Sequence, residues 1–282
     1  MIGNHCNLQC VYCPVNLHAG STPLPRSLDF KLALDRIADH FPELSIEFQG
    51  GEPTLYQPLV EWITDTELRA SQKVVLHTNG TMLENHQWQA MLPNIGKIEL
   101  TVHGNKVEQV ESLIVLLVEN QIGLSIKIPI MPETWKADME TYRRLKMVHT
   151  DVGLQMLYAN YTRGNNRYLD YTDEQWDAFW LTRGIDRNAP VEVMHQQPEV
   201  RKQLSLNNYY GHYCSAGLEQ LIIEPHGSVH KGWCRVDGTV GNIFDKNFVF
   251  PDQAVVCPFQ QCSNGFDQAC RKSQGSWGMA NK

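Results

Sequence analysis

Residues 44–53 read LSIEFQGGEP, and this stretch decides the fold. Its first half, Leu44 to Phe48, is short and alternating, as a strand is. Its second half is a Gly-Gly turn that punctuates rather than continues a regular element. Comparable pieces follow along the chain. KVVLH (73–77) reads as a strand ending at Thr78-Asn79-Gly80, and IELTVH (98–103), LSIKIPI (124–130) and residues 154–158 read as further strands. Between them, apolar residues recur at helical spacing. Phe30, Leu34, Ile37 and Phe41 follow a capping Ser27; further helices are expected over 59–68, 84–92, Val107 to Leu117 and 136–146. Strands alternating with helices of this length imply parallel strands joined by crossover helices. Counting a strand stub at residues 1–5, there are about six such units, short of the eight that close a standard barrel. The expected fold class is therefore α/β, a partial (β/α)6 TIM-like barrel.

The pattern changes after about residue 160. YTRGNNRYLDYT (161–172) is polar, and TDEQWDAFWLT (172–182) reads as an amphipathic helix whose Trp176, Phe179 and Trp180 pack inward. From about residue 205 the chain is rich in Gly, Cys and short strands; LEQLIIEP (218–225) and GSVHKGWC (227–234) look like a hairpin. We expect a barrel over 1–165, a helical linker over 166–204 and a small Cys-rich α+β domain over 205–282.

Composition narrows the function. The chain has 282 residues, 42% of them apolar and 20% charged, with a formal net charge of −7. No clustered Lys and Arg mark a nucleic-acid face, so nucleic acid is not an expected partner. The longest apolar run, Leu113 to Val118, is far too short to span a membrane, and MIGNHCNLQC carries no signal-peptide pattern; a cytoplasmic location is expected. In that setting eight cysteines point to metal or redox chemistry rather than disulfides. They form two groups, Cys6, Cys10 and Cys13, then Cys214, Cys234, Cys257, Cys262 and Cys270.

Cys6-Asn7-Leu8-Gln9-Cys10-Val11-Tyr12-Cys13 is a CxxxCxxC run. Three thiolates there can hold a cluster that normally takes four, leaving one iron open for chemistry. Taken alone, the run also permits a zinc knuckle completed by His5 or His18. It does not stand alone. With an aromatic before its third cysteine, it resembles the radical S-adenosylmethionine (SAM) superfamily. Gly50-Gly51-Glu52-Pro53, Thr78-Asn79-Gly80 and Thr101-Val102-His103-Gly104 follow in order at successive strand ends, similar to that family's motifs.

The resemblance implies roles. Cys6, Cys10 and Cys13 would hold a [4Fe–4S] cluster whose open iron chelates the methionyl amine and carboxylate of SAM. Tyr12 would lie near the adenine. The backbone of Gly50, Gly51, Glu52 and Pro53, with the Glu52 side chain, would receive the methionyl ammonium. Asn79, Thr101 and Lys127 would place ribose or carboxylate; His103 stands where relatives often have Asp and carries no implied role. Relatives usually have a full strand before the first cysteine; with only Met1 to His5 there, either the first strand is a stub or the true start lies upstream, and the N-terminal leader-binding domain that peptide-modifying relatives often carry is not expected within these residues. The second cysteine group resembles a twitch or SPASM extension holding an auxiliary [4Fe–4S] cluster. Cys214, Cys234, Cys257 and Cys262 are its expected ligands, with Cys270 spare or displacing Cys262; a zinc ribbon is the alternative. A spare Cys270 is a candidate catalytic hydrogen donor.

The family chemistry implied is reductive cleavage of SAM to a 5′-deoxyadenosyl radical that takes a substrate hydrogen. Its electron would come from a donor such as flavodoxin or ferredoxin. The outcome expected is oxidation or cross-linking of a ribosomal peptide or a small natural-product precursor. The alternatives are an epimerase using Cys270 and, in a different class, a zinc-binding interaction protein.

Overall fold

A computed structural model of the chain describes residues 5–13, 27–43, 45–65, 73–83, 86–104, 107–160, 167–186, 208–260, 262, 267 and 270–274. The expected strand at residues 1–5 falls mostly outside these. So do residue 44, the residues expected to end the second helix (66–68) and the centre of the polar stretch (161–166).

The first compact unit, Met1–Gly184, is a regular alternation. In chain order it runs α1 (Ser27–His40), β1 (Ile46–Phe48), α2 (Gln57–Asp65), β2 (Val74–Thr78), α3 (His86–Gln89), β3 (Ile95–Thr101), α4 (Val107–Glu119), β4 (Gly123–Ile130), α5 (Trp135–Val148) and β5 (Val152–Met156). The five strands form one parallel sheet in the order β1-β2-β3-β4-β5. Each pairs with its sequence neighbour: Phe48 faces Leu76, Leu76 faces Ile98, Ile98 faces Leu124, and Ile126 faces Val152. This sequential winding is barrel-like, and it matches the α/β expectation.

The strand alternation explains where the core sits. Leu76, Ile98, Leu100, Ile126, Ile128 and Ile130 are fully buried, as are Trp62 and Ile63 of α2 and Leu117 of α4. The intervening residues Glu47, His77, Glu99, Thr101 and Lys127 belong to the opposite face, which stays partly open. A parallel sheet is ordinarily apolar on both faces. Here the second face is polar and charged, as the lining of a solvent-reached concavity must be. Among the described residues, no helix is long and apolar enough to cross a membrane.

The unit closes with β6 (Tyr158–Asn160) and β7 (Arg167–Tyr168), a short antiparallel pair, and α6 (Asp173–Thr182). Thr172 and Gln175 form a capping box that fixes the start of α6. Gln175 also donates to the Pro132 carbonyl at 3.1 Å. The Tyr171 hydroxyl donates to the Ile130 carbonyl at 2.6 Å and accepts from the Leu157 N–H at 2.9 Å. Phe179 and Trp180 are buried, as the sequence predicts.

The second unit, Ile185–Lys282, is built from short antiparallel strands. These are β8 (Tyr213–Cys214), β9 (Ile222–Ile223), β10 (Ser228–His230), β11 (Gly241–Asn242), β12 (Val255–Val256) and β13 (Lys272–Ser273). The expected hairpin is present: Val229 pairs with Ile223 and His230 with Ile222. A second small sheet puts β8 between β12 and β13.

Candidate functional site

The first group of candidate residues meets at the C-terminal ends of β1, β2 and β3. A cavity of about 230 Å³ is lined by Cys6, Cys10, Cys13, Leu8, Tyr12, Gln49, Gly50, Gly51, His77, Thr78, Asn79, Thr101 and His103. Chain segments 5–13, 49–51, 77–79 and 101–103 thus converge from strand ends, where loops can vary without disturbing the sheet.

Two contacts seat the cysteine loop. The Glu52 N–H donates to the His5 carbonyl at 2.6 Å. At Gly51, a Cβ would lie 1.9 Å from that same oxygen, so only glycine admits the loop there. Gly50 sits at φ +145, a second position that favours glycine. From the other side, Asn79 Nδ2 donates to Asn7 Oδ1 at 2.9 Å, and Asn7 Nδ2 donates to Thr81 Oγ1 at 2.7 Å. Thr81 donates back to Asn79 Oδ1 at 2.6 Å, closing the ring of contacts.

Tyr12 and His103 stack at 5.9 Å between ring centroids, with the phenol oxygen 2.6 Å from His103 Nδ1. Burial lowers the His103 pKa and keeps the ring neutral. Burial, then the neighbouring Cys10, raises Tyr12, so the phenol keeps its proton. Cys10 Sγ lies 3.5 Å from the same nitrogen, and burial raises its pKa against the opposing hydrogen bond from Tyr12.

Three residues with expected cofactor roles do not line this cavity. The buried Glu52 carboxylate accepts from the Thr54 N–H (3.1 Å), Thr54 Oγ1 (2.6 Å), Thr78 Oγ1 (2.7 Å) and the Asn79 N–H (2.7 Å). It braces the β1 turn against the β2 turn. Pro53 opens the short 3-10 turn Pro53–Leu55. Lys127 pairs with Glu99, which also accepts from Lys97 Nζ at 2.7 Å and lies 3.9 Å from His77 Nδ1. Conversely, His103, Asn7 and His77 join the site without having been assigned to it. The signal for Asn7 is its position inside the cysteine run; for His77 and His103 it is a polar residue at a strand's end.

Burial alone would raise Glu99, but hydrogen bonds from Lys127 and Lys97, with the charges of Lys127 and His77, hold its carboxyl at about 2. A carboxyl lowered on folding stabilises the fold above its ordinary pKa of 4.5, and that stabilisation is lost as pH falls toward 2. The stability gap between wild type and Glu99→Gln in thermal melts is therefore expected to be full at neutral pH and to shrink across that acid window. A gap independent of pH would show that the ion pairs contribute nothing to it.

In the second unit, strand register sorts the cysteines. Both Val255 of β12 and Lys272 of β13 face Cys214. Because both pairings are antiparallel, Cys257, two residues after Val255, goes to the His212 end of β8. Cys270, two residues before Lys272, goes to the Ala216 end. The Cys257 N–H accordingly donates to the His212 carbonyl at 2.8 Å. Cys270, Cys214, Ala216, Val236 and Val255 form one buried cluster, with Cys234 packed against it. Cys270 donates to Cys214, lowering the Cys214 pKa and raising its own. Burial pushes Cys234 up to about 11 and Cys262 up to about 12, and Cys262 feels the charges of Cys234 and Cys214. Cys257 Sγ points instead at the Phe259 carbonyl, 3.5 Å away.

Among the described residues, no three His, Cys, Asp or Glu side chains stand close enough to share one metal ion. A four-iron cluster has another requirement, because each thiolate binds its own iron and the ligands stand apart around a common space. Three thiols around one cavity in the first unit fit such a cluster in donor type and number; in the second, Cys214, Cys234 and Cys270 pack together, and Cys262 feels the charges of Cys234 and Cys214.

Comparison with known proteins adds three findings. A family model described as the Radical SAM superfamily matches residues 1–145. A probable GTP 3′,8-cyclase of Saccharolobus islandicus (strain Y.N.15.51 / Yellowstone #2) is 28% identical over 98 residues, 35% of this chain and 32% of that protein. The uncharacterized protein MJ0907 of Methanocaldococcus jannaschii is 23% identical over 116 residues, 39% of each chain. The chain thus spans about a third of the length of the cyclases it matches. Among solved structures, native anSMEcpe with bound AdoMet and Kp18Cys peptide is similar with a TM-score of 0.54 and 19% identity, covering 86% of this chain and 76% of that one. Native anSMEcpe with bound AdoMet gives a TM-score of 0.53 at 18% identity, covering 86% and 77%. These likenesses concern the fold.

Proposed function

This chain belongs to the radical SAM superfamily, and from that premise we propose that it oxidises or cross-links a ribosomal peptide or a small natural-product precursor. The family implies a [4Fe–4S] cluster and SAM. When bound, they supply a 5′-deoxyadenosyl radical by one-electron cleavage of the sulfonium, the electron coming from a donor such as flavodoxin or ferredoxin.

The observation that carries this reading is the single cavity shared by Cys6, Cys10, Cys13 and the Gly50-Gly51 edge. The three cysteines would hold the cluster. The bare glycine backbone would take the methionyl ammonium; four donors already fill the Glu52 carboxylate, which supports the backbone as the recipient. Thr101 and Asn79 would orient ribose or carboxylate, and Tyr12, held by His103, would cover the adenine. Lys127, tied to Glu99, would keep the sheet's open face in place. An unreacted carbon–hydrogen bond must be held close to the radical carbon and shielded from other donors. The half-open polar face carrying His77 and Glu99 suits a polar substrate in that position.

We assign the barrel to 1–165, the linker to 166–204 and an auxiliary-cluster domain to 205–282, in a cytoplasmic enzyme. Cys214, Cys234, Cys262 and Cys270 would ligate an auxiliary [4Fe–4S] cluster able to take the electron left on the substrate, with Cys257 as the spare thiol. The burial of Cys270 beside Cys214 favours a ligand role for it over hydrogen donation to a substrate. The nucleotide named for the cyclase relatives is not carried over, since the match covers a third of their length.

The test is anaerobic reconstitution with iron and sulfide, then dithionite and SAM, with assay for 5′-deoxyadenosine. Product together with about eight irons per chain, four per cluster, is the expected result. Zinc in place of iron and sulfide would overturn the reading in favour of a zinc-binding interaction protein.

A further inference from the structure

We propose that Asp267 is a positioning residue for the auxiliary centre, its buried carboxylate holding the turn that carries Cys234 against the segment that carries Cys262 and Cys270. The proposal rests on the auxiliary-cluster reading above and adds to it a residue that is not a ligand.

Asp267 is only 2% exposed. A carboxylate at that depth must be paid for by donors, and three supply it. Oδ2 accepts from the Cys234 N–H at 2.5 Å. Oδ1 accepts from the Trp233 N–H at 2.8 Å and from Gln220 Nε2 at 2.7 Å. Two of the three donors are consecutive backbone groups of one turn, so the carboxylate fixes the direction in which Cys234 leaves the chain. The fit is close: a Cβ at Gly232 would stand 2.8 Å from Oδ1 and 3.5 Å from Cys234 Sγ. On the Asp267 side, Lys272 Nζ donates to the carbonyls of Asp267 (2.6 Å) and Cys270 (2.9 Å). One side chain thereby ties the Cys234 turn to the backbone flanking Cys270.

The same bonds have an electronic consequence. Backbone N–H groups aimed at cluster sulfurs raise a cluster's potential, and negative charge nearby lowers it. Asp267 takes the N–H of Cys234 for itself and brings a negative charge. It therefore biases the centre toward lower potential as well as holding its ligand.

The experiment uses the full chain with Cys6, Cys10 and Cys13 replaced by alanine, so that iron reports the auxiliary centre alone. This parent is expected to retain about four irons; one that binds no iron and sulfide overturns the auxiliary-cluster reading itself, and the Asp267 proposal with it. In that parent, Asp267→Asn keeps the shape but places an amide donor against N–H donors. Gly232→Ala attacks the same contact from the other side. Both are expected to lose iron to a chelator at least about tenfold faster, as changes behind a metal ligand typically do. In Asp267→Asn the remaining centre should be reduced at a more positive potential. Asp237→Asn, which breaks an exposed ion pair with Lys231 in the same unit and leaves every Asp267 contact in place, should release iron at the parent's rate. Parent-like release in both Asp267→Asn and Gly232→Ala overturns the proposal. So does equal iron loss in Asp237→Asn, which would mark a general loss of packing.

Discussion

Gly51→Ala is expected to reduce 5′-deoxyadenosine formation by at least about tenfold, equivalent to more than about 1.4 kcal/mol of barrier, while the sheet stays folded. The new methyl group would lie 1.9 Å from the His5 carbonyl oxygen and 2.5 Å from its carbon. Both are backbone atoms, so no side-chain rotation relieves the overlap. Overpacking of this kind typically costs about 1–3 kcal/mol when neighbours can shift. The cheapest shift here is outward movement of the segment from His5 to Cys13, which is anchored to the sheet through the His5–Glu52 bond and the Asn7–Asn79–Thr81 contacts. Moving it separates Cys6 from the glycine edge, so iron retention and SAM cleavage should fall far more than the melting temperature. If cleavage persists at wild-type rate, the close approach of these two backbones is incidental.

Glu52→Ala is expected to have the largest effect on stability, about 3–5 kcal/mol. It strands four donors, two of them backbone N–H groups, in a place water does not reach. Glu52→Gln should cost less, since the amide oxygen can still accept, though its NH2 must face a donor. Urea denaturation midpoints would check both. A carboxylate acting chiefly on the ligand would behave otherwise: Glu52→Gln would weaken SAM binding and leave the midpoint unchanged.

Much of this was legible in the sequence because period and punctuation agree locally. Each of KVVLH, IELTVH and LSIKIPI alternates, ends in a turn and lies a helix away from the next, so strand direction follows without knowledge of the whole. The cysteine run and the Gly-Gly turn are likewise local. What was not legible depends on contacts between distant segments. Asn7 reads as a spacer between ligands until Asn79 and Thr81 are brought beside it. The bracing role of Glu52 is invisible until Thr78 and the Asn79 N–H are brought against its carboxylate. That Cys257 and Cys270 go to opposite ends of β8 is a matter of register, which linear spacing does not encode. The first strand stub lies largely outside the described residues, and the sheet has five strands among them.

The proton shared between Cys214 and Cys270 has a practical corollary. Two buried thiols in contact, one of them readily ionised, need only an oxidant to join as a disulfide, because the thiolate is the reactive form. Under the proposed auxiliary-cluster reading, oxidation of that pair in the metal-free protein would withdraw two of the four proposed ligands at once. The history of a preparation would then bear on its iron content: a sample purified in air and reconstituted without prior thiol reduction is expected to take up less iron than one reduced first.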